Sequence, residues 1–275
     1  MRYNLNFGKS FKKTTKGLDG IIEALSYPPE PPPPPNPKTV VTYKNGDVAE
    51  YLVEGELGQN SIPDKTNAVK AEIGTAVTSI GIEAFYYCSN LTSVTIPNSV
   101  TNIWYEAFAY CSKLTFVTIP DSVTNIMPAT FAGCSSLTSI TIPTQVTSIG
   151  DRAFESCSSL TSITIPDSVT NIGNYAFRGC IRMTSITIGN GMTNIGKMAF
   201  YYCPALSSIT CLATSAPTIE YDAFGDSDSN YTGRNTYSTG NNVLKVLQGA
   251  TRYDYEAWFD PLQSSTKCGF HIEYI

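Results

Sequence analysis

A ruler runs through this chain: Cys88, Cys111, Cys134, Cys157, Cys180 and Cys203 fall 23 residues apart without a slip. Phenylalanine keeps the same step at Phe85, Phe108, Phe131, Phe154, Phe177 and Phe200, and isoleucine at Ile80, Ile103, Ile126, Ile149, Ile172 and Ile195. A strict period of this length implies a solenoid, because one such unit is too small to bury its own apolar side and must do so against its neighbours. Each unit has three parts. In LTSVTIP, Leu91, Val94 and Ile96 face inward while Ser93 and Thr95 face out, as in a strand with one buried face. Pro97 stops that strand, having no amide to donate. Val100 and Ile103 form a second inward pair. Ala107, Phe108 and Cys111, at i, i+1 and i+4, predict one or two helical turns with a buried edge of Phe and Cys.

The copy with Ile165-Pro166, Ser168-Val169-Thr170, Ile172-Gly173, Ala176-Phe177 and Cys180 resembles the BspA-like leucine-rich repeats, whose pattern is IPxSVTxIGxxAFxxCxxL. The resemblance covers about residues 68 to 224, with local departures. Thr130 replaces Ala before Phe131, Gly189 replaces Pro after Ile188, Met183 replaces Leu, and Trp104 and Met127 stand where Gly150 stands. It implies a β-rich solenoid of the α/β leucine-rich repeat class: a right-handed coil with strands on one side, short helical segments on the other, and a cap at each end. Repeats of this kind are found in gut bacteria and their phages, and they imply binding or adhesion more than catalysis.

Around the array the composition changes. Residues 1–27 carry Arg2, Lys9, Lys12, Lys13 and Lys16 against Asp19 and Glu23, so this end is basic while the whole chain has a net charge of −5. Leu18, Ile21, Ile22 and Leu25 lie on one face of a short helix, and with Phe7 and Phe11 they read as an anchor for a protein partner, as a helix packed on its own domain, or as a membrane-surface contact. Residues 28–38 are proline-rich, a stiff polyproline II spacer of roughly 30 Å. Residues 39–67 read as a hairpin cap: Thr39 to Lys44 and Asp47 to Val53 flank Asn45-Gly46, the dipeptide of a type I′ turn. Residues 68–225 are the solenoid, opening on a degenerate repeat, Ala68 to Ile80. In 226–275 a polar loop, a strand at Val243 to Leu247, a short helix in YDYEAWFDPL and a strand in CGFHIEYI form a C-terminal cap.

The acidic pI near 5.0 argues against nucleic acid held through phosphates. No apolar run is long enough to span a bilayer, and MRYNLNFGKSFKKTTKG lacks the apolar core of a secretory signal. Assembly in the cytoplasm, as part of a virion, is therefore expected; cell-surface display is the alternative.

Candidate chemistry is sparse. Cysteines at one inward position of every coil read as buried thiols rather than disulfides or zinc ligands, while Cys211 and Cys268 fall outside the rhythm and could meet in the C-terminal cap. His271 is the only histidine, so a His-dependent enzyme would have to use it. Asp226, Asp228 and Asn230 open like a calcium loop, but Tyr231 and Tyr237 occupy the Gly and Glu positions an EF-hand needs. No cofactor is implied. Outward columns of Ser and Thr, broken by Phe116, line the strand side. On the other side aromatic residues gather at the ends: Tyr86, Tyr87, Trp104, Tyr105 and Tyr110 early, Tyr175, Tyr201 and Tyr202 late. Tyr and Trp at exposed, variable positions are what recognition surfaces use. The expectation is a non-enzymatic recognition module, held by its N-terminus on a larger assembly such as a phage capsid or tail. Its solenoid would meet a host surface protein or glycan; oligomerisation would run through the N-terminal segment. The alternatives are a bacterial surface adhesin and, from another class, an enzyme built on His271 or the Asp226 loop.

Overall fold

The computed structural model describes residues 36–220, 222–224, 242–246 and 270–275. The anchor face from Phe7 to Leu25, the prolines up to Pro35, the Asp226–Asn230 loop, Cys268 and the segment around Trp258 lie outside the described residues. By contacts the chain divides into residues 1–34 and 35–275, and the solenoid occupies the second unit.

Alternating apolar and hydroxyl residues build two rows of parallel strands. The first row holds β4 (Ala68–Glu72), β6 (Ser93–Thr95), β8 (Phe116–Val117), β11 (Ser162–Ile165), β13 (Ser185–Ile188) and β15 (Ser208–Cys211). The second holds β5 (Val77–Ile80), β7 (Asn102–Ile103), β9 (Asn125–Ile126), β10 (Ser148–Ile149), β12 (Asn171–Ile172), β14 (Asn194–Ile195) and β16 (Thr218–Ile219). Register follows the period: Ser162 pairs with Ser185 and Ser185 with Ser208, as Ile149 pairs with Ile172 and Ile172 with Ile195. Strand spacing of about 4.8 Å therefore sets one coil on the next.

Inside, the phenylalanines form a continuous stack. Ring centroids from Phe85 to Phe200 are 5.0–5.5 Å apart, with planes within 9° of parallel. Phe224 extends the stack at 5.3 Å although one residue more separates it from Phe200, so the inserted residue is absorbed outside the core. All six earlier rings are fully buried. We number coils 1 to 6 by these phenylalanines, Phe85 to Phe200.

The cysteines stand beside them as buried thiols. Each from Cys111 to Cys203 points its sulfur at the carbonyl of the phenylalanine 26 residues earlier, at 3.1–3.4 Å. Burial pushes the Cys134 and Cys203 thiols up to about 12, and Cys111, Cys157 and Cys180 well above the usual thiol range for the same reason. A small apolar group that can also donate weakly suits this slot. Cys211 is buried in β15.

The third side of each coil corrects the helical expectation. Its segments are successive turns, not helix; among the described residues the helical element is a 3-10 turn, Lys65–Asn67. Amides alternate in their partners: those of Ala84, Tyr86 and Cys88 donate to the residue three earlier, while those of Glu83, Phe85 and Tyr87 donate to Tyr105, Ala107 and Ala109 of the next coil. An α-helix would spend every amide within its own coil. The alternation requires left-handed backbone at two positions per coil, Glu83 and Tyr87 in coil 1, Glu106 and Tyr110 in coil 2.

At the N-terminal end β1 (Thr39–Tyr43) and β2 (Val48–Tyr51) form a hairpin, β1 pairs antiparallel with β4, and β3 (Gly55–Leu57) pairs with β5. The hairpin turn is not type I′, which needs positive φ at both Asn45 and Gly46. Only Gly46 is left-handed (φ 91°); its amide donates to Tyr43, and the amide of Tyr43 donates to Asp47. This is the longer loop with glycine at its left-handed position. Val41, Leu57 and Ile62 join the same core. Where coil 1 has no predecessor to supply amides, the Lys65 ammonium donates to the carbonyls of Glu83 (2.7 Å) and Ala84 (3.0 Å). Burial lowers its pKa.

At the other end β17 (Asn242–Val246) continues the first row beside β15, and β18 (Phe270–Tyr274) pairs with β17. His271 falls in β18, opposite Val243.

Candidate recognition surface

The turn side presents columns of residues 23 apart, and beside the buried Phe and Cys lie two pairs of positions per coil whose exposure varies with the residue: Tyr87 and Tyr110 are exposed, Ala109 and Ala132 buried. The pair after phenylalanine begins Tyr86-Tyr87 in coil 1; the same two positions hold Ala109-Tyr110 in coil 2 and Ala132-Gly133 in coil 3. Tyr87 and Tyr110 stack at 4.6 Å and 15°, and Tyr86 meets both edge-on, at 4.6 and 5.7 Å. Tyr87 is 52% exposed and Tyr110 43%. Trp104 and Tyr105, in the other pair of positions, tilt against each other at 6.3 Å, Trp104 half-buried and Tyr105 exposed.

Glutamates enter this patch unannounced by any motif. Glu83 and Glu106 occupy equivalent left-handed positions, and Ile82 beside them is exposed. The Tyr86 phenol is held above its usual pKa, first by partial burial and then by Tyr87, Glu106, Tyr110 and Glu83 around it. Glu83 accepts a bond from the Gln59 amide at 2.6 Å. Their role was invisible in sequence because it depends on which positions of the turn face outward, and a helical reading places them differently.

The late aromatics do not join this patch. Tyr201 is half-buried and Tyr202 exposed in coil 6, four coils beyond Tyr110. Phe116 is exposed on the strand side, paired through β8 with Ser93, and so belongs to another face. Tyr175 instead lies beneath two guanidiniums, Arg152 at 5.4 Å and Arg178 at 5.9 Å from its centroid, and Glu155 pairs with Arg178 at 2.8 Å.

Elsewhere the hairpin bounds an open cleft of about 740 Å³, lined by Tyr43, Asp47, Tyr51, Pro63, Asp64 and Asn67 among others. Several of its polar groups bond one another: the Tyr43 hydroxyl donates to Pro63 and accepts from Tyr51, and Asn67 donates to Asp64. Among the described residues no three His, Cys, Asp or Glu side chains are grouped to hold a metal, and no helix is long and apolar enough to cross a membrane.

The repeat geometry agrees with the comparison of the chain with known families. A family model described as BspA type leucine-rich repeat region, in six copies, matches residues 56–180 and 147–241. The chain belongs to the BspA type leucine-rich repeat family. A search of curated proteins finds no match. Among solved structures, a leucine-rich repeat protein from Bacteroides ovatus is 26% identical over 78% of this chain, with a TM-score of 0.49. The chain spans 65% of the length of that protein. The leucine-rich repeat protein of T. pallidum is 22% identical, over 85% of this chain and 94% of its own, with a TM-score of 0.51. A leucine rich cell surface protein from Faecalibacterium prausnitzii is 20% identical, over 86% of this chain and 93% of its own, with a TM-score of 0.41. The T. pallidum likeness shows the shared fold. Family membership makes this chain a leucine-rich repeat protein, and solenoids of this class present extended surfaces.

Proposed function

We propose that this protein is a non-enzymatic recognition module whose tyrosine cluster on coils 1 and 2 contacts a protein partner. The observation that carries this is the exposed, stacked pair Tyr87 and Tyr110, with half-buried Tyr86 meeting both rings edge-on. Large rings held rigid on a repeat scaffold contribute contact area at low entropic cost, which is why such residues dominate interfaces. A photo-crosslinking side chain at position 87 should capture the partner, and the same group at Thr164 on the strand side should not. Equal capture from both faces overturns the reading.

Within this proposal residues 1–27 anchor the chain to a larger assembly, such as a phage capsid or tail, with the prolines as a spacer. Support comes from the basic, periodic composition of that end. Deleting residues 1–27 should leave a folded solenoid that no longer joins the assembly; continued incorporation removes the anchor. Display on a bacterial surface is the second reading, favoured by membership of the BspA type family. Fractionation of the native cells separates the two.

A further inference from the structure

Two places on the turn face combine tyrosine rings with carboxylates. In coils 4 and 5 guanidiniums join them: Arg152 and Arg178 lie over the Tyr175 ring, Arg178 is paired with Glu155 at 2.8 Å, and Arg152 stands 3.9 Å from the same carboxylate. Counting back by 23, Arg152 and Tyr175 share a column with Glu83 and Glu106, and Glu155 and Arg178 share one with Tyr86. Coils 1 and 2 therefore carry a carboxylate and a phenol ring in these two columns as well, with the columns exchanged, and add Tyr87 and Tyr110 from the neighbouring column. They omit the guanidinium. Among the described residues no cation lies over Tyr86, Tyr87 or Tyr110, and the Glu106 carboxylate has no hydrogen-bond or ion-pair partner.

What is left is an electron-rich patch. Ring faces attract cations, arginine more readily than lysine, because the planar guanidinium stacks on a ring while its edge meets a carboxylate. Tyr86 meets both tyrosines edge-on, and both glutamates join them among the groups that raise its pKa. The Lys65 ammonium, bound to the backbone of coil 1, spends its donors on the Glu83 and Ala84 carbonyls. The chain as a whole is acidic, so a basic ligand is also favoured at long range.

We propose that Tyr86, Tyr87, Tyr110 and Glu106 form a binding site for an arginine side chain of a protein partner, which supplies from outside the pairing that Arg152 and Arg178 make internally with Tyr175 and Glu155. This rests on the recognition role proposed above and names the chemistry of its ligand. A neutral glycan would stack on the rings and donate hydroxyls to Glu106 but leave its charge unpaired; the arginine ligand meets both ring and charge.

The test is calorimetric titration of the full chain with an acetylated, amidated Gly-Arg-Gly-Arg-Gly peptide, its citrulline counterpart and maltohexaose. The arginine peptide should bind, and citrulline, which has the shape without the charge, should bind about tenfold more weakly or not at all. Glu106→Gln should weaken arginine binding about threefold to tenfold, whereas Glu220→Gln, on a distant coil, should not. Tyr87→Ala with Tyr110→Ala should abolish binding, and the double Phe variant, which keeps the rings, should retain it. Equal affinity for the citrulline peptide, binding of maltohexaose in place of the arginine peptide, or full arginine affinity in the double Ala variant each overturns the inference. If crosslinking at position 87 still captures a protein while the arginine peptide fails to bind, the recognition role survives and this ligand assignment falls.

Discussion

Tyr110 lies across Gly133 of the next coil: a β-carbon built at Gly133 would fall 2.6 Å from Cδ1 of the Tyr110 ring. The ring that stacks on Tyr87 is therefore seated on a residue with no side chain. Gly133 also has left-handed φ, 71°. Gly133→Ala should displace the Tyr110 ring and cost about 1 kcal/mol or more in stability, through left-handed strain plus the clash. Near-ultraviolet circular dichroism should show the change in tyrosine packing and a denaturant melt the loss. An unchanged tyrosine signal in the variant would mean that Gly133 does not seat the ring.

The column that holds Tyr87, Tyr110 and Gly133 reaches Ser156 in coil 4, left-handed at φ 59°. Ser156→Gly should stabilise the fold by up to about 1 kcal/mol, since glycine adopts this backbone without a steric penalty. A raised melting temperature is the expected readout; a lowered one would point to a side-chain role for Ser156.

Truncation within the phenylalanine stack has a different size. Phe154 is fully buried and stacks on Phe131 at 5.5 Å and on Phe177 at 5.2 Å. Phe154→Ala should cost about 3–5 kcal/mol, from lost burial and the cavity left behind. Because each coil rests only on its neighbours, hydrogen exchange should rise most in the coils around Phe154 and least at β1 and β4.

Alkali should weaken the array. The Cys134 and Cys203 thiols are pushed up to about 12 by burial, whereas an unfolded thiol ionises near about 8.5. The raised value means that the folded state holds its proton longer. The associated stability is complete below about pH 8.5 and is lost as pH rises toward about 12, at up to ~1.4 kcal/mol per pH unit for each thiol. Denaturant midpoints between pH 7 and 11 should fall accordingly, and Cys134→Ala should fall less steeply than the wild type.

Lys65→Met keeps much of the side-chain volume and removes the donors that cap Glu83 and Ala84. Two carbonyls of coil 1 then lose a partner, at a cost of about 1–3 kcal/mol. The loss should appear as faster exchange of the Tyr86 and Cys88 amides; exchange like that of the wild type would show that Lys65 is not the cap.

Periodicity alone determined a great deal here. Spacing of Phe, Ile and Cys specified a solenoid, and the inward placement of Leu91, Val94, Ile103, Phe108 and Cys111 follows from it, because every coil must bury the same positions. The repeat pattern likewise pointed to its family. Three features depended on the tertiary structure. The AFAYC segment has the spacing of a helix, yet its amides are drawn alternately into the next coil, a competition that only stacking introduces. Asn45-Gly46 closes with a single left-handed residue, in a loop whose flanking strand β1 also pairs with β4. Early aromatics that look like one group in sequence separate into a tyrosine stack with two glutamates, a Trp104–Tyr105 pair and a lone Phe116 on another face. Which side chains share a surface is set by which turn positions point outward, and that is decided by hydrogen bonds between coils rather than by any signal within one repeat.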